Sequence, residues 1–209
     1  MKLYYAETMN PRKACAVAKY LQLPMEYVQV DLSKGEHLKP EFLALNPNGK
    51  VPLLLDGDLR LWESTAIMVH LAVKAGSDLW PSEPTQQVEV LRWLSWDMVH
   101  FSRHGGTLYF ENRIKPAFGL GEPNAQAVEE AGKFYRRLAS VLDAHLAERK
   151  YLLGDRLTIA DFGAGTLLPW TKEAQLPLEG FTHIARWHER LMEIPAWREP
   201  FPAPMPVAA

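Results

Sequence analysis

Asn46-Pro47-Asn48-Gly49-Lys50-Val51-Pro52-Leu53-Leu54-Leu55 runs into Asp56-Gly57-Asp58, then Leu59-Arg60-Leu61-Trp62, then Glu63-Ser64-Thr65-Ala66-Ile67. The order of these pieces decides the fold. Two short apolar runs joined by an Asp-Gly turn read as an antiparallel hairpin. Pro52 opens the first run, a position where even a central strand tolerates proline. A cis Val51–Pro52 bond costs only ~0.5–1 kcal/mol relative to trans. It would turn the Val51 backbone outward as an open donor–acceptor pair, able to take an extended peptide-like ligand as an added strand. With a trans bond the same residues make a plain surface turn. Directly after the hairpin, Ser64 is placed to cap a helix running to about Ala75, whose first-turn N–H groups and positive dipole end attract an anion. Glu63 beside it offers a carboxylate to an ammonium. Together they suit an amino-acid head group, although an N-cap with an acidic neighbour is also ordinary helix chemistry.

Upstream, Leu3-Tyr4-Tyr5 and Tyr27-Val28-Gln29-Val30 read as strands. Between them Ala14, Val17, Ala18 and Leu21 recur at helical spacing. A crossover helix makes those strands parallel and the connection right-handed. The N-terminal third is therefore α/β, a βαβ-ββα unit built on a small mixed sheet. Gly76-Ser77-Asp78 and Pro81-Ser82-Glu83-Pro84 punctuate the chain. They divide it into domains 1–78 and 85–209, the second all-α. One long helix is expected through Val88, Leu91, Trp93, Leu94 and Met98, a second over Ala125 to Leu146, and a third over Ile159 to Leu168. A last one carries Ile184, Trp187, Leu191 and Ile194. Thr158 and Asp161 form a capping box, with Leu157 as its hydrophobic staple. The tail from Pro200 to Ala209 is rich in Pro and Ala and is expected to wrap a surface or fray.

Of the 209 residues, 23 are Lys or Arg and 25 Asp or Glu, a net charge of −2. That balance builds in no pull toward nucleic acid or anionic membrane. No apolar run approaches a membrane span or a signal peptide core, so a cytoplasmic protein is expected. A single cysteine, Cys15, excludes an internal disulfide framework and a multi-cysteine metal site. The histidines lack metal-ligand spacing, for His100 and His104 are four apart without the intervening glutamate. No metal is expected.

In order and spacing, Asn46 to Leu54, Glu63 to Ile67 and Leu157 to Phe162 resemble the glutathione transferase family over nearly the whole chain. The resemblance implies a thioredoxin-like N-terminal domain, an all-helical C-terminal domain, glutathione as co-substrate, a homodimer and a role in detoxification. By that resemblance Val51, beside Pro52, pairs its backbone with the cysteinyl part of glutathione. Glu63 and Ser64 hold the γ-glutamyl head group, and Lys50 reaches the glycyl carboxylate. Gly35-Glu36-His37-Leu38-Lys39-Pro40-Glu41-Phe42 is similar to a segment of some insect and bacterial members, in which the histidine binds the glycyl end. A lone loop histidine such as His37 is otherwise simply solvated.

A thiol of pKa ~8.5 is only about 3% thiolate at pH 7, and the thiolate is the nucleophile. Lowering that pKa to roughly 6.5 takes about 2.7 kcal/mol of preferential stabilisation of the anion. The place for it is the turn Tyr5-Ala6-Glu7-Thr8-Met9-Asn10-Pro11, where Asn10 is a favoured N-cap and Pro11 a favoured first helical residue. Thr8 offers a hydroxyl, Asn10 an amide near the positive dipole end. Thr8-Met9-Asn10 is similar to the Thr-x-Asn of the bacterial nu class, whose members favour disulfide reduction over conjugation. Tyr5 competes, standing where some animal classes place a catalytic tyrosine. Cys15, five residues into the helix, reads as a small buried hydrophobe. His104 and Tyr109 are candidates for an acceptor pocket holding a small hydrophobic electrophile or a disulfide, although Trp93, Trp96 and His100 at helical spacing read mainly as packing. A non-catalytic ligand-binding protein on the same fold is the alternative.

Overall fold

The Asp-Gly signal does close a hairpin. β3 (Leu53–Asp56) and β4 (Leu59–Trp62) pair antiparallel with Asp56 opposite Leu59, and Gly57 takes φ 60 in the two-residue loop, a conformation that favours glycine. A computed structural model describes residues 1–202 and forms two compact units, Met1–Gly76 together with the segment beginning at Glu193, and Ser77–Met192.

In the first unit the order is β1 (Lys2–Tyr5), α1 (Met9–Tyr20), β2 (Glu26–Gln29), a 3-10 turn (Glu36–Leu38), α2 (Pro40–Leu43), β3, β4 and α3 (Ser64–Lys74). The sheet order is β2-β1-β3-β4, with β1 parallel to β2 and antiparallel to β3. This is the mixed thioredoxin-like sheet expected. Strand alternation decides its packing: Leu3 and Tyr5 are buried, and the intervening Tyr4 sets its ring edge against Phe42 at 5.9 Å. Phe42, Val30 and Leu53 form one core cluster, while α1 and α3 pack together, with Val17 of α1 and Ile67, Met68 and Leu71 of α3 fully buried. Each large side chain so buried contributes ~1.5–3 kcal/mol.

Both helix starts differ from the sequence reading. Thr8, extended at φ −128 and ψ 171, occupies the cap position of α1, leaving Asn10 as its second residue and Pro11 as its third. Thr is itself a good cap, and proline is harmless through the first turn because N–H groups there have no intrahelical acceptor. For α3 the cap position falls on Glu63, at φ 70 and ψ 114, and Ser64 is the first helical residue. β4 runs to Trp62, so one residue must reverse the chain, and a non-glycine in that region costs ~1–3 kcal/mol.

The segment after Glu193 lies on α1. Trp197, in α10 (Pro195–Arg198), is fully buried; Arg12 donates to its carbonyl and lies over its ring at 4.8 Å. Lys19 Nζ donates to the carbonyls of Glu199 at 2.8 Å and Phe201 at 2.6 Å. The sequence-derived ranges 1–78 and 85–209 differ from the two units in this segment. Of the tail, 203–209 lies outside the described residues.

The second unit contains α4 (Pro84–Trp96), α5 (Ser102–Tyr109), α6 (Lys115–Phe118), α7 (Ala125–Leu146), α8 (Ile159–Ala164) and α9 (Thr182–Met192). The long helix expected through Val88 to Met98 is α4 as far as Trp96, where a π-helical turn, Asp97–Phe101, takes over; a second π-helical turn, Phe110–Ile114, follows α5. The aromatic residues of this stretch are packing groups: Trp96 stacks on Phe101 at 5.2 Å, and Phe101 on Tyr135 at 4.4 Å. α7 has the expected bounds. α8 stops at Ala164, short of Leu168, where Gly163-Ala164-Gly165 weakens the helix. The capping box is present: Asp161 accepts from the Thr158 N–H at 2.9 Å, and also from the Leu152 N–H at 2.9 Å and Trp187 Nε1 at 3.1 Å.

Candidate functional site

At one end of the sheet β1 finishes, β3 begins, β4 finishes, and the N-termini of α1 and α3 arrive together, a convergence that follows from the registers Tyr4–Leu53 and Leu53–Trp62. A small cleft, partly open to solvent, lies there. Asn46, Asn48, Lys50, Val51 and Pro52 line one side, and Asn10, Trp62, Glu63 and Ser64 complete it.

The loop is built around Asn46, which is 1% exposed. Its amide donates to the Lys50 carbonyl at 2.7 Å, and its side-chain oxygen accepts from the Asn48 N–H at 3.1 Å and the Asn48 amide at 2.9 Å. Gly49 sits at φ 58, where an added Cβ would stand 3.1 Å from Leu38 Cδ2 and 3.2 Å from the His37 carbonyl. The Val51–Pro52 bond is cis. Among the described residues neither backbone group of Val51 has a hydrogen-bond partner. The side chains of Asn10, Lys50, Glu63 and Ser64 likewise make no hydrogen bond or ion pair to a described residue. One cleft thus gathers an open strand edge, a cation, a carboxylate, a hydroxyl, an amide and two positive helix ends.

The cleft brings together Asn10, Lys50, Val51, Pro52, Glu63 and Ser64 of the residues singled out in the sequence. Tyr5, Thr8 and His37 are not in its lining. Tyr5 is buried, its ring stacked on Phe201 at 5.9 Å and edge-on to Tyr27 at 6.2 Å, and burial, with the nearby Cys15 and Glu7, raises its phenol pKa. Thr8 caps α1 without a side-chain hydrogen bond to it. The Nδ1 atom of His37 is buried with no partner among the described residues. Cys15 is fully buried, which pushes its thiol up to about 12. In the second unit, His104 stacks on Phe134 at 4.8 Å, and burial lowers its pKa. Tyr109 is buried against Trp170, and its hydroxyl accepts from Arg113 at 2.9 Å. Asn46 and Asn48 were missed as site residues. The Asn-Pro-Asn-Gly run, rich in side chains that bond their own backbone, is the signal that finds them.

The family model of the glutathione S-transferase N-terminal domain matches residues 1–73, and that of the C-terminal domain residues 99–195. The chain belongs to the glutathione S-transferase family. It is 38% identical to glutathione S-transferase 3 of Zea mays, over 97% of this chain and 94% of that one, and 32% identical to glutathione S-transferase F9 of Arabidopsis thaliana, over 95% of each. Among solved structures, a theta class glutathione S-transferase from Xanthomonas axonopodis with glutathione bound superposes with a TM-score of 0.85 at 30% identity, over 95% of both chains. A glutathione transferase from Burkholderia graminis holding two glutathione molecules per subunit gives 0.85 at 27% identity, over 98% of this chain and 88% of that one. Among the described residues no His, Cys, Asp and Glu cluster suits a metal, and no helix is long and apolar enough to cross a membrane.

Proposed function

We propose that this transferase binds glutathione in the cleft and holds its sulfur as a thiolate against the start of α1. The observation that carries the reading is the open Val51 backbone, flanked by polar groups that have no partner among the described residues. The cysteinyl unit adds to Val51 as a short antiparallel strand, each exchanging an N–H for a carbonyl. The γ-glutamyl ammonium meets Glu63, and its carboxylate meets Ser64 and the first turn of α3. The glycyl carboxylate pairs with Lys50; His37, whose carbonyl backs Gly49, is a second group for that end. Of the three groups considered for the sulfur, Asn10 lines the cleft, and the sulfur is assigned to it, with the positive end of α1 adding to the field. Thr8 and Tyr5 are left supporting the turn.

The thiolate attacks an electrophilic carbon, forming a C–S bond while the leaving group departs with its electron pair. Against a disulfide, it displaces one sulfur as a thiolate and forms a mixed disulfide. The Burkholderia neighbour, with its two glutathione molecules per subunit, favours including a glutathione-bearing disulfide among the acceptors. That fits the nu-class reading of Thr8-Met9-Asn10. His104 and Tyr109 are proposed for the acceptor side. The protein is further proposed to be a cytoplasmic homodimer: Val88, Leu91, Met98 and Val99, at 62%, 47%, 46% and 55% exposure, form an apolar stripe at helical spacing that a second copy would cover.

Retention on immobilised glutathione, with turnover of an activated aryl halide and of a glutathione mixed disulfide, tests the reading. Asn10→Ala is expected to lower kcat/KM at pH 6.5 by about tenfold or more with the fold intact. Unchanged turnover removes Asn10 from the mechanism, and binding without activity on any acceptor restores the non-catalytic alternative. Light scattering that gives a monomer mass removes the dimer.

A further inference from the structure

We propose that the C-terminal segment Pro195–Phe201 is a positioning strap that fixes the turn carrying Asn10, a role that rests on the reading of the cleft given above. The strap grips the chain on both sides of Ala6–Pro11. Before the turn, the Tyr5 ring stacks on Phe201 at 5.9 Å with planes 17° apart. After it, Arg12 donates to the Trp197 carbonyl and lies over the Trp197 indole at 4.8 Å. Arg12 also closes the first turn of α1, its N–H bonding the Thr8 carbonyl at 3.1 Å. Any displacement of Arg12 is therefore passed to the residue two positions before it.

The arrangement is unusual for a helix of this composition. Between Pro11 and Ala18 every residue of α1 is buried, Arg12 and Lys13 included. Burial lowers the Arg12 guanidinium to about 10. Holding a cation in such a place is unfavourable unless hydrogen bonds compensate it. About two turns further on, Lys19 ties the same helix to the carbonyls of Glu199 and Phe201. Arg12 and Lys19 are roughly 10 Å apart along the axis at 1.5 Å per residue. Two points fix the helix against sliding as well as tilting. Donors to main-chain carbonyls read the path of the strap rather than its side chains, whereas the Trp197 indole and the Phe201 ring make the contacts that depend on its sequence.

A dipole aimed at an anion stabilises it only while its geometry holds, which makes thiol acidity the property most sensitive to a loosened turn. The test uses the full-length chain with Arg12→Met, Arg12→Lys, Lys19→Met and Phe201→Ala. Two readouts apply: amide hydrogen exchange of the ligand-free protein over residues 8–12, and the pH profile of kcat/KM with glutathione and an activated aryl halide. Arg12→Met and Phe201→Ala are expected to speed exchange about tenfold and to move the acidic midpoint of the profile up by about half a unit or more. Arg12→Lys, which keeps a carbonyl donor, should recover part of the shift; Lys19→Met, acting at the far end, should give a smaller one. If Arg12→Met does not fold, Phe201→Ala, at the strap's partly exposed end, carries the test. Unchanged exchange, or faster exchange with an unmoved midpoint, overturns the strap. Exchange needs no ligand, so a wild-type protein that fails to bind glutathione sinks the functional reading while the exchange result still judges the strap's grip.

Discussion

Truncating Asn46 tests how the loop is tied to the cleft. Asn46→Ala removes a 2.7 Å bond to the Lys50 carbonyl and a 3.1 Å bond from the Asn48 N–H, besides the 2.9 Å bond from the Asn48 amide. The two main-chain groups contribute ~0.5–1.5 kcal/mol each, so the loss is about 1–3 kcal/mol. At roughly 2–4 °C per kcal/mol for a chain of this size, the melting temperature should fall by about 2–12 °C. The sharper consequence is for binding. If the freed loop presents Val51 correctly only about a tenth of the time, the apparent Kd for glutathione rises about tenfold. Calorimetry with glutathione on both proteins measures this. Asn48→Ala is the control: it keeps the main-chain bond from residue 48 to Asn46 and should weaken binding by no more than about threefold. An Asn46→Ala protein with the wild-type Kd and an unchanged melting temperature would refute the claim that this side chain organises the site.

Gly49→Ala forces a Cβ into φ 58 against Leu38 and the His37 carbonyl, and should lower stability by about 1–3 kcal/mol in a denaturant titration. Burial pushes the Asp161 carboxyl up to about 6, above its unfolded value, so the folded state keeps this proton longer and the group's contribution to stability falls as pH rises from about 4 through 6. Comparing urea midpoints of wild type and Asp161→Asn at pH 4.5 and 7 isolates that slope, and equal slopes would contradict it. Cys15, with its thiol raised to about 12, should stay unalkylated by iodoacetamide at pH 8 in the folded protein, and rapid stoichiometric labelling would show otherwise.

What could be read from the sequence was whatever is settled within a few residues. The Asp56-Gly57 turn, the Thr158–Asp161 capping box and the apolar face of α7 each carry their signal locally, and each appears where expected. The cap positions did not, because Thr8 and Asn10 are both favoured cap residues two positions apart, and the structure places the cap on Thr8 although Asn is the stronger cap by type. The π-helical turns at Asp97–Phe101 and Phe110–Ile114 have no residue signature. Least legible was the burial of Arg12. Its partner lies 185 residues away at Trp197, and nothing near Arg12 distinguishes it from a solvated surface arginine. The cleft itself was half visible: the charged and capping residues stood out by type, whereas Asn46 and Asn48 act through main-chain geometry.

The ionisation state of glutathione on the protein bears most directly on all of this. A pH titration of thiolate absorbance in the ultraviolet, with glutathione held saturated on wild type and on Asn10→Ala, gives the acidity of the sulfur. The wild-type midpoint is predicted near about 6.5 and the variant's shifted back toward the ~8.5 of a free thiol. A wild-type midpoint already at the free-thiol value, or the same midpoint in both proteins, would contradict the assignment of thiolate stabilisation to this cleft and to Asn10.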